Sequence, residues 1–315
     1  MKAIWLREFG GPEVLVAGDA DEPVAGPGQV MVEIAFVNVS FSETAFRATG
    51  RGPFPGDPPL IPGYGVGGTV TAVAEGADPA LLGRRVVGGT RGRGAYAERV
   101  ALDAASVVPL PDGLALDAAV ALFGDGRTAT KLTRTAAVQP GERILVEAAA
   151  GGVGTLLVQL ARAAGATVIA AAGGQRKLAL VRELGADVAV DYRQPGWTAQ
   201  AGAVDVVFDG VGGELAHAAF KLLRPGGRMV SFGASSGRGS AVDQAAAAAA
   251  GVTLLRPGMP TPQELRADID SALAEGAAGR LRVVIGQRFP LARAADAHAA
   301  IDARQTVGRT LLEVG

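Results

Sequence analysis

The stretch Ile144-Leu-Val-Glu-Ala-Ala-Ala-Gly-Gly-Val-Gly154, followed directly by Thr155-Leu-Leu-Val-Gln-Leu-Ala-Arg-Ala-Ala-Gly165, predicts a strand, a glycine turn and a helix in immediate succession. Glycine at positions 151, 152 and 154 lets backbone N–H groups and the positive N-terminus of the helix approach a pyrophosphate. The segment therefore predicts a dinucleotide-binding turn. Glycine-rich turns also occur in loops that bind no ligand, so the neighbouring segments have to support this interpretation.

The residues after the next strand indicate which dinucleotide is bound. A second apolar strand is predicted at 167–172, and Gly173-Gly-Gln-Arg-Lys177 follows it without Asp or Glu. An acidic residue at this point would bind the ribose of NAD. Arg176 and Lys177 instead favour the 2′-phosphate of NADP, through charge-assisted bonds of about 1.5–3 kcal/mol each. The alternative is that both cations are the solvated first turn of a helix, where positive charge is slightly unfavourable.

Composition and charge exclude several classes of protein. The chain has 315 residues, enough for two domains, and a formal net charge of −1, so no basic field favours nucleic acid. It contains no cysteine, which removes disulfides, thiolate metal ligands and a cysteine nucleophile. The first residues, Met1-Lys-Ala-Ile-Trp-Leu-Arg-Glu-Phe9, do not form a secretory signal, and no apolar run has membrane-spanning length. We expect a cytoplasmic protein with no membrane partner.

The pattern of elements changes along the chain. Short strands separated by turns are predicted at 2–6, 30–39, 67–74, 85–88 and 95–102, and residues 50–62, rich in proline, are predicted to form a loop. From about residue 125, strands and helices alternate. The predicted strands of this part are 144–146, 167–172, 188–190, 204–208, 228–232 and 252–255, which indicates a parallel sheet covered on both faces. Helices near 263–275 and 292–303, with short strands near 283 and 311, are predicted to fold back on the first domain.

Several motifs resemble the medium-chain dehydrogenase/reductase superfamily, and specifically its zinc-independent quinone oxidoreductase (zeta-crystallin-like) branch. In addition to the glycine turn, the resemblance rests on these segments: Phe9-Gly-Gly-Pro-Glu-Val-Leu15, Gly94-Ala-Tyr-Ala-Glu98, Asp191-Tyr-Arg193, Asp209-Gly-Val-Gly212, Val230-Ser-Phe-Gly-Ala-Ser-Ser-Gly237 and Arg256-Pro257. Their number and order make the resemblance strong across almost the whole chain.

The resemblance implies an α/β fold in which a doubly wound Rossmann domain, residues 125–256, is inserted into a mostly-β, GroES-like catalytic domain, residues 1–124 and 257–315. It also implies a cleft where the nicotinamide meets a small-molecule quinone or enone substrate. Family members commonly form homodimers by pairing the last Rossmann strand, here 252–255. The alternative for that strand is an edge covered by its own chain.

The cofactor residues implied by the resemblance lie in both predicted domains. They are Phe41, Thr128, Ala150, Gly151, Gly152, Val153, Gly173, Arg176, Lys177, Tyr192, Phe232, Gly233 and Ala234. Tyr192 can alternatively be a structural tyrosine bonded to the backbone. The cofactor expected at this set is NADPH.

A zinc site is not expected. Zinc-dependent relatives have Gly-His-Glu at the start of the segment that here reads Gly63-Tyr-Gly-Val-Gly-Gly68, so that Tyr64 stands where the ligand histidine would be. The two histidines, His217 and His298, fall in predicted helices far from it. Three protein ligands of suitable type cannot be assembled. The chemistry left is conjugate reduction, in which hydride enters a β carbon and the charge that develops on oxygen needs only hydrogen-bond donors.

The segment Asn38-Val-Ser-Phe-Ser-Glu-Thr-Ala-Phe-Arg47 is similar to the family stretch that lines the nicotinamide and substrate. It departs from the family pattern at Ser40 (usually Asn), Glu43 (usually Asp) and Ala45 (often Tyr). Loss of that phenol makes Ala45 part of an enlarged substrate pocket and leaves protonation to solvent, to Tyr64 or to Glu43. The candidate catalytic groups are Ser40, Glu43 and Tyr64. The alternative for Glu43 is a helix-start residue that pairs with Arg47 four positions on.

Two further interpretations remain open. Arg91 and Arg93 can receive an acidic substrate or simply be solvated loop arginines.

The leading function is a metal-independent, NADPH-dependent reductase of quinones or α,β-unsaturated carbonyl compounds. An enoyl reductase of a polyketide-like pathway also fits the enlarged pocket, and a non-catalytic NADPH-binding protein is the alternative from another class.

Overall fold

The computed structural model describes residues 1–240 and 242–315, which form fifteen strands and ten α-helices. The strands are β1 Lys2–Leu6, β2 Leu15–Asp19, β3 Gln29–Val39, β4 Gly65–Val73, β5 Arg85–Gly89, β6 Arg99–Asp103, β7 Val107–Pro109, β8 Arg143–Val146, β9 Thr167–Ala172, β10 Val188–Asp191, β11 Val204–Asp209, β12 Leu223–Ser231, β13 Thr253–Leu255, β14 Ile285–Pro290 and β15 Arg309–Glu313. The helices are α1 Phe41–Thr49, α2 Leu116–Ala121, α3 Arg127–Ala136, α4 Gly152–Ala163, α5 Gln175–Glu183, α6 Trp197–Ala201, α7 Gly213–Phe220, α8 Gln244–Ala249, α9 Pro262–Ala277 and α10 Ala294–Asp302. None of the helices in these two ranges is long and apolar enough to cross a membrane.

The chain divides into two compact units. The first comprises Met1–Gly124, Gly276–Ala278 and Val284–Gly315, and the second comprises Asp125–Glu275 and Gly279–Val283. The second unit thus continues to Glu275 and takes in Gly279–Val283, whereas the sequence predicted that it ends at Arg256. Residues 257–275 belong with the second unit because α9 is anchored there: Asp268, which is buried, accepts both guanidinium hydrogen bonds of Arg134 on α3.

The first unit is built on a seven-stranded sheet in the order β14-β15-β3-β4-β5-β7, with β6 also paired to β3. In β3, Val30, Val32 and Ile34 are buried, as are Met31 and residues 37–39, whereas Glu33 is exposed, so most of this central strand is covered on both faces. Its core also takes Ile301 from α10 and Leu312 from β15. The segments before residue 125 and after residue 283 therefore share one core.

The second unit contains a six-stranded sheet in the order β10-β9-β8-β11-β12-β13. Every neighbouring pair in it is parallel. The inner strands β8 and β9 consist of buried residues after their first position, as expected for a sheet covered on both faces. The predicted fold class, a GroES-like domain with a Rossmann-like parallel-sheet domain, is confirmed.

The element predictions are close for the parallel sheet and looser elsewhere. The strand expected at 95–102 begins only at Arg99, and β2 and β7 were not predicted. The segment 95–98 is instead held by single hydrogen bonds, among them Ile4 N–H to the Tyr96 carbonyl at 2.8 Å. Residues 50–62 are irregular apart from two isolated bridges, as the prolines require.

Candidate functional site

The turn between β8 and α4 has the geometry of an anion cradle. Gly151 caps α4 with an extended backbone, and no side chain bonds the first N–H groups of the helix. A Cβ at Gly154 would lie 2.3 Å from the Ala148 carbonyl oxygen and 2.7 Å from the Ala149 Cα atom. Only glycine lets the helix pack so closely on the turn, and the open N–H groups suit a pyrophosphate. The structure places Ala150, buried, inside this turn and Val153, half-buried, in the first turn of α4.

A second group of predicted residues meets at the ends of β9 and β10. A Cβ at Gly173 would lie 3.4 Å from Tyr192 Cε2, so these two positions are neighbours. Lys177, half-buried, and Arg176, exposed, lie in the first turn of α5. These four residues were predicted separately, and the structure brings Gly173 and Tyr192 into contact directly.

Arg193 also lies over this turn, and the sequence analysis assigned it no role. Its Nε and Nη2 atoms donate to the two carboxylate oxygens of Asp191 at 3.0 and 2.9 Å. That pair, together with the Gly174 N–H at 3.1 Å, holds the pKa of Asp191 below its usual range. The sequence Asp191-Tyr-Arg193 contains both members of this ion pair. The position of the guanidinium over Gly174 depends on the tertiary structure and could not be predicted from it. Because Asp191 balances its charge, Arg193 adds little net positive potential.

The loops after β11 and β12 interlock at the same edge of the sheet. The Asp209 backbone carbonyl accepts the Phe232 N–H at 2.9 Å, and a Cβ at Gly233 would lie 2.5 Å from the Gly210 carbonyl oxygen. Ala234 follows in the same loop and is exposed. The predicted residues 232–234 therefore lie at the carboxyl ends of the strands, where open parallel sheets bind ligands. Thr128, half-buried, is in the first turn of α3.

In the first unit, Ser40 and Glu43 are in direct contact at the start of α1. Glu43 Oε2 accepts the Ser40 backbone N–H and the Ser40 hydroxyl, each at 2.7 Å, which closes a capping box. Ser40 Oγ also lies 2.9 Å from Ser42 Oγ, and Ser42 is exposed. Burial raises the pKa of Glu43, and the Ser40 hydrogen bonds and the charge of Arg309 oppose that rise.

Tyr64 belongs to the same neighbourhood. Its backbone N–H acts on the Glu43 carboxylate and also opposes the rise in the pKa of that group. Its ring is tilted against Phe123, with centroids 6.1 Å apart, and the side chain is half-buried. The structure therefore brings Ser40, Glu43 and Tyr64 together, as three residues from two segments of the first unit.

The pairing of Glu43 with Arg47 is wrong. Arg47 is buried and donates instead to the Gly10 carbonyl at 2.7 Å and to the Asp302 carboxylate. The reason is tertiary: α10 brings Asp302 to the guanidinium, while Glu43 is already bonded within its own capping box.

The other predicted residues of the first unit are spread over its surface. Ala45 is half-buried in α1, and the Phe41 ring carries the Arg304 guanidinium 4.7 Å from its centroid. Arg91 is 86% exposed and forms an ion pair with Asp103 at 2.8 Å. Its charge is therefore balanced on the surface.

The donor set does not suit a zinc ion. His298 is buried, and its Nε2 atom lies 2.9 Å from the Tyr96 hydroxyl. Burial, with the charge of Arg47, lowers the pKa of His298 to about 3, so the ring is neutral. His217 is exposed on α7. Within 1–240 and 242–315, no three His, Asp or Glu side chains form a group that would hold a metal.

Comparisons with known proteins agree with this architecture. Residues 26–112 match the model described as alcohol dehydrogenase GroES-like domain, and residues 152–274 match the one described as zinc-binding dehydrogenase. A quinone oxidoreductase of Pseudomonas aeruginosa is 34% identical over 99% of both sequences. The chain belongs to the quinone oxidoreductase branch of the medium-chain dehydrogenase/reductase superfamily. The resemblance inferred from the motifs is thereby confirmed.

Two further relatives of this quinone oxidoreductase branch bear on its chemistry. A 2-haloacrylate reductase of a Burkholderia species is 30% identical over 98% of this chain and 97% of its own. The crystal structure of Escherichia coli quinone oxidoreductase, solved in complex with NADPH, superposes with a TM-score of 0.91 at 30% identity, covering 99% of this chain and all of the other.

Proposed function

We propose that the chain is a metal-independent reductase that transfers hydride from NADPH to a quinone or an α,β-unsaturated carbonyl compound. The observation that carries the proposal is the cofactor edge of the second unit. There the uncapped glycine turn of α4 lies on the same sheet as a β9 end that has Gly173 and Gly174 in place of an acidic residue.

The residues at that edge fit NADPH. Gly152 and Val153 offer backbone N–H groups to the pyrophosphate, and Gly151, whose N–H closes the turn on the Ala148 carbonyl, has no side chain to block its approach. Arg176, Lys177 and Tyr192 offer cations and a phenol to the 2′-phosphate. The E. coli relative was solved with this cofactor. When bound, NADPH supplies the hydride.

The names of the relatives support an acceptor with conjugated double bonds. A quinone and a 2-haloacrylate both present a C=C bond conjugated to an oxygen-bearing carbon, so hydride addition at the β carbon moves negative charge to oxygen. That charge needs a hydrogen-bond donor and then a proton, and it needs no metal. The donor set around Glu43 is consistent with this requirement, since it offers hydroxyl groups and no zinc ligands.

We assign the proton to Ser40 and Glu43. In the structure the Ser40 hydroxyl donates to Glu43 Oε2, and burial raises the pKa of Glu43. When the carboxyl group takes up a proton, this hydrogen bond reverses: the acid donates to Ser40 Oγ, and the Ser40 hydroxyl proton is then available to the acceptor oxygen. Ser42, exposed and 2.9 Å from Ser40 Oγ, offers a route for a proton from water to replace the one delivered. Tyr64 orders Glu43 through its backbone N–H, and its phenol is a second candidate donor.

The test is NADPH oxidation measured by absorbance against a panel of quinones, enones and 2-haloacrylates, with and without exhaustive chelation. Turnover that survives chelation supports the proposal. Cofactor binding without turnover on any acceptor would favour a non-catalytic NADPH-binding protein, and zinc bound at one per chain with activity lost on its removal would contradict metal independence.

We also propose a homodimer that pairs β13 with its copy. β13 ends the six-stranded sheet, with Thr253 exposed and Leu254 and Leu255 half-buried. An unpaired strand edge is a template for a second strand. Light scattering should give twice the chain mass of 31.6 kDa, and a monomer mass would overturn the proposal.

A further inference from the structure

Two carboxyl groups are buried together at the carboxyl edge of the parallel sheet. Glu147 follows the last residue of β8, and Asp209 is the last residue of β11, its parallel neighbour. The Glu147 N–H donates to the Phe208 carbonyl at 3.0 Å, which places the two acids side by side. They are 1% and 0% exposed. Neither takes part in the chemistry proposed above.

The two acids have unequal surroundings. Asp209 Oδ1 accepts the N–H groups of Val211 at 3.1 Å and Gly212 at 2.7 Å, and its Oδ2 accepts the Ser231 hydroxyl at 3.0 Å. Neither oxygen of Glu147 accepts a hydrogen bond from the described part of the chain. Three donors stabilise Asp209 as an anion, whereas a buried carboxylate without donors is strongly unfavourable. The proton of the pair therefore belongs on Glu147.

The electrostatics agree with this assignment. Burial, and after it the negative charge of Asp209 and the hydrogen bond with it, raise the pKa of Glu147 to about 9. Asp209 is the titratable group that acts on Glu147 from the neighbouring strand, and the Val211 N–H, which donates to Asp209 Oδ1, also acts on Glu147 and opposes the rise in its pKa. Two like charges in contact cannot both ionise readily, so the pair holds one proton, which stays on Glu147.

We propose that Glu147 is a positioning residue: its neutral carboxyl group donates a hydrogen bond to Asp209 and holds the loops after β8, β11 and β12 in the shape that receives NADPH. The choice of NADPH as the ligand rests on the function proposed above. The proton pair itself rests only on the buried geometry.

Asp209 links Glu147 to the rest of this edge because it is hydrogen-bonded to the loops after β11 and β12. Its side chain orders residues 210–212, and its backbone carbonyl accepts the N–H of Phe232. The Val211 carbonyl in turn accepts the Ser236 N–H at 2.9 Å. Loss of the Glu147 proton puts two anions in contact beneath these loops. Movement of either carboxylate relieves the repulsion, and any movement of Asp209 shifts the backbone to which Phe232 is bonded.

The sign of the pH effect follows from proton linkage. In the unfolded chain Glu147 titrates near its ordinary pKa of 4.5, and in the folded protein it titrates near 9. Between these values the folded state binds one proton more, so its stability falls as pH rises, by about tenfold in the unfolding constant per pH unit from this group. The stabilisation that Glu147 contributes is fully present below pH 4.5 and is lost above about pH 9.

The experiment compares the whole protein with Glu147→Gln, Glu147→Leu and the control Glu214→Gln, an exposed acid on α7 of the same unit. Thermal and denaturant unfolding are followed from pH 5 to pH 9.5, and NADPH affinity is measured by fluorescence at each pH. Glu147→Gln keeps the donor without a titrating proton, so it should lose the steep decline in stability that the unmodified protein and the control share.

At pH 7 the NADPH affinity of Glu147→Gln should stay within about threefold of that of the unmodified protein. At pH 9.5 the variant should bind NADPH more tightly. Glu147→Leu should bind about tenfold more weakly, since the donor is gone. Parallel pH–stability curves for the unmodified protein and Glu147→Gln would overturn the shared proton. Equal NADPH affinity in the Gln and Leu variants would overturn the positioning role. If no form binds NADPH, the proposed function fails, while the stability curves still decide the proton pair.

Discussion

The glycine turn of the second unit and the polar cluster around Arg47 in the first unit are built in opposite ways. In the turn, the decisive contacts join Gly154 to Ala148 and Ala149, a few residues away. In the cluster, Arg47 meets Asp302 across 255 positions, and Tyr96 meets His298 across 202. A site made by local backbone can be read from sequence, whereas a site made by side chains from distant segments cannot.

The difference also sets what each region tolerates. The turn has no room for an atom added at Gly154, where a Cβ would meet the backbone of Ala148 and Ala149. The cluster depends on the charge and hydrogen bonds of individual buried groups, because an unpaired buried charge is costly. Changes that remove a charge from the cluster should therefore affect stability, and changes to the turn should affect cofactor binding as well.

The largest effect is expected for Arg47→Met. It removes two hydrogen bonds donated by a buried cation, one to the Gly10 carbonyl and one to the Asp302 carboxylate, whose side chain is 37% exposed. The loss of both should lower the free energy of unfolding by about 3 kcal/mol. Denaturant unfolding measures the change, and hydrogen exchange should locate it in α1 and α10. The matched control is Arg51→Met, at an exposed arginine. A loss no greater than that of the control would show that the cluster contributes little.

Gly154→Ala should disrupt the glycine turn of the second unit. The added methyl group meets backbone atoms that cannot rotate away, so the turn must open, at about 2 kcal/mol of stability and about tenfold in NADPH affinity. Gly258→Ala is the control, because nothing lies within 4 Å of its added Cβ. Unfolding curves and cofactor titration check both numbers, and an unchanged affinity for NADPH would show that the turn does not hold the cofactor.

Lys177→Ala should act mainly on the affinity for NADPH. The loss of one charge-assisted bond to the 2′-phosphate should weaken NADPH binding by about tenfold and leave NADH binding unchanged. Isothermal titration with both cofactors provides the measurement. Equal affinity for NADPH and NADH in the unmodified protein would refute the 2′-phosphate assignment before the variant is made.

The smallest effect is expected for Ala45→Tyr, at a half-buried position of α1 in the first unit. If Ala45 lines the substrate pocket, the ring should reduce turnover of large polycyclic quinones relative to small ones by about fivefold, roughly 1 kcal/mol, with NADPH binding intact. Steady-state rates for paired acceptors test this. A loss of stability with an unchanged ratio of rates would place Ala45 against the core instead.

The parts of the fold that the sequence predicted are those with a local signal. β8 and β9 are predicted from apolar runs and β11 from a run interrupted by Asp205, and the predicted bounds of all three differ from the structure by one residue at most. Residues 257–275 were assigned to the wrong unit because the Arg134–Asp268 pair that anchors α9 has no local sequence signature. In the site, Ser40 and Glu43 form a capping box that the spacing allowed, whereas the Arg47–Asp302 pair and the placement of Arg193 required the tertiary structure.

The pairing of β15 with β3 determines when the first unit can finish folding. Residues 36–39 of β3 pair with residues 310–313, and the Arg309 guanidinium bonds the Val39 carbonyl across 270 positions. At a synthesis rate of about 5–20 residues per second, this part of β3 waits on the order of tens of seconds for its neighbour. All six strands of the second sheet are made within that interval. Until β15 is made, the nascent chain therefore carries an unpaired strand edge at residues 36–39, which can pair with other chains.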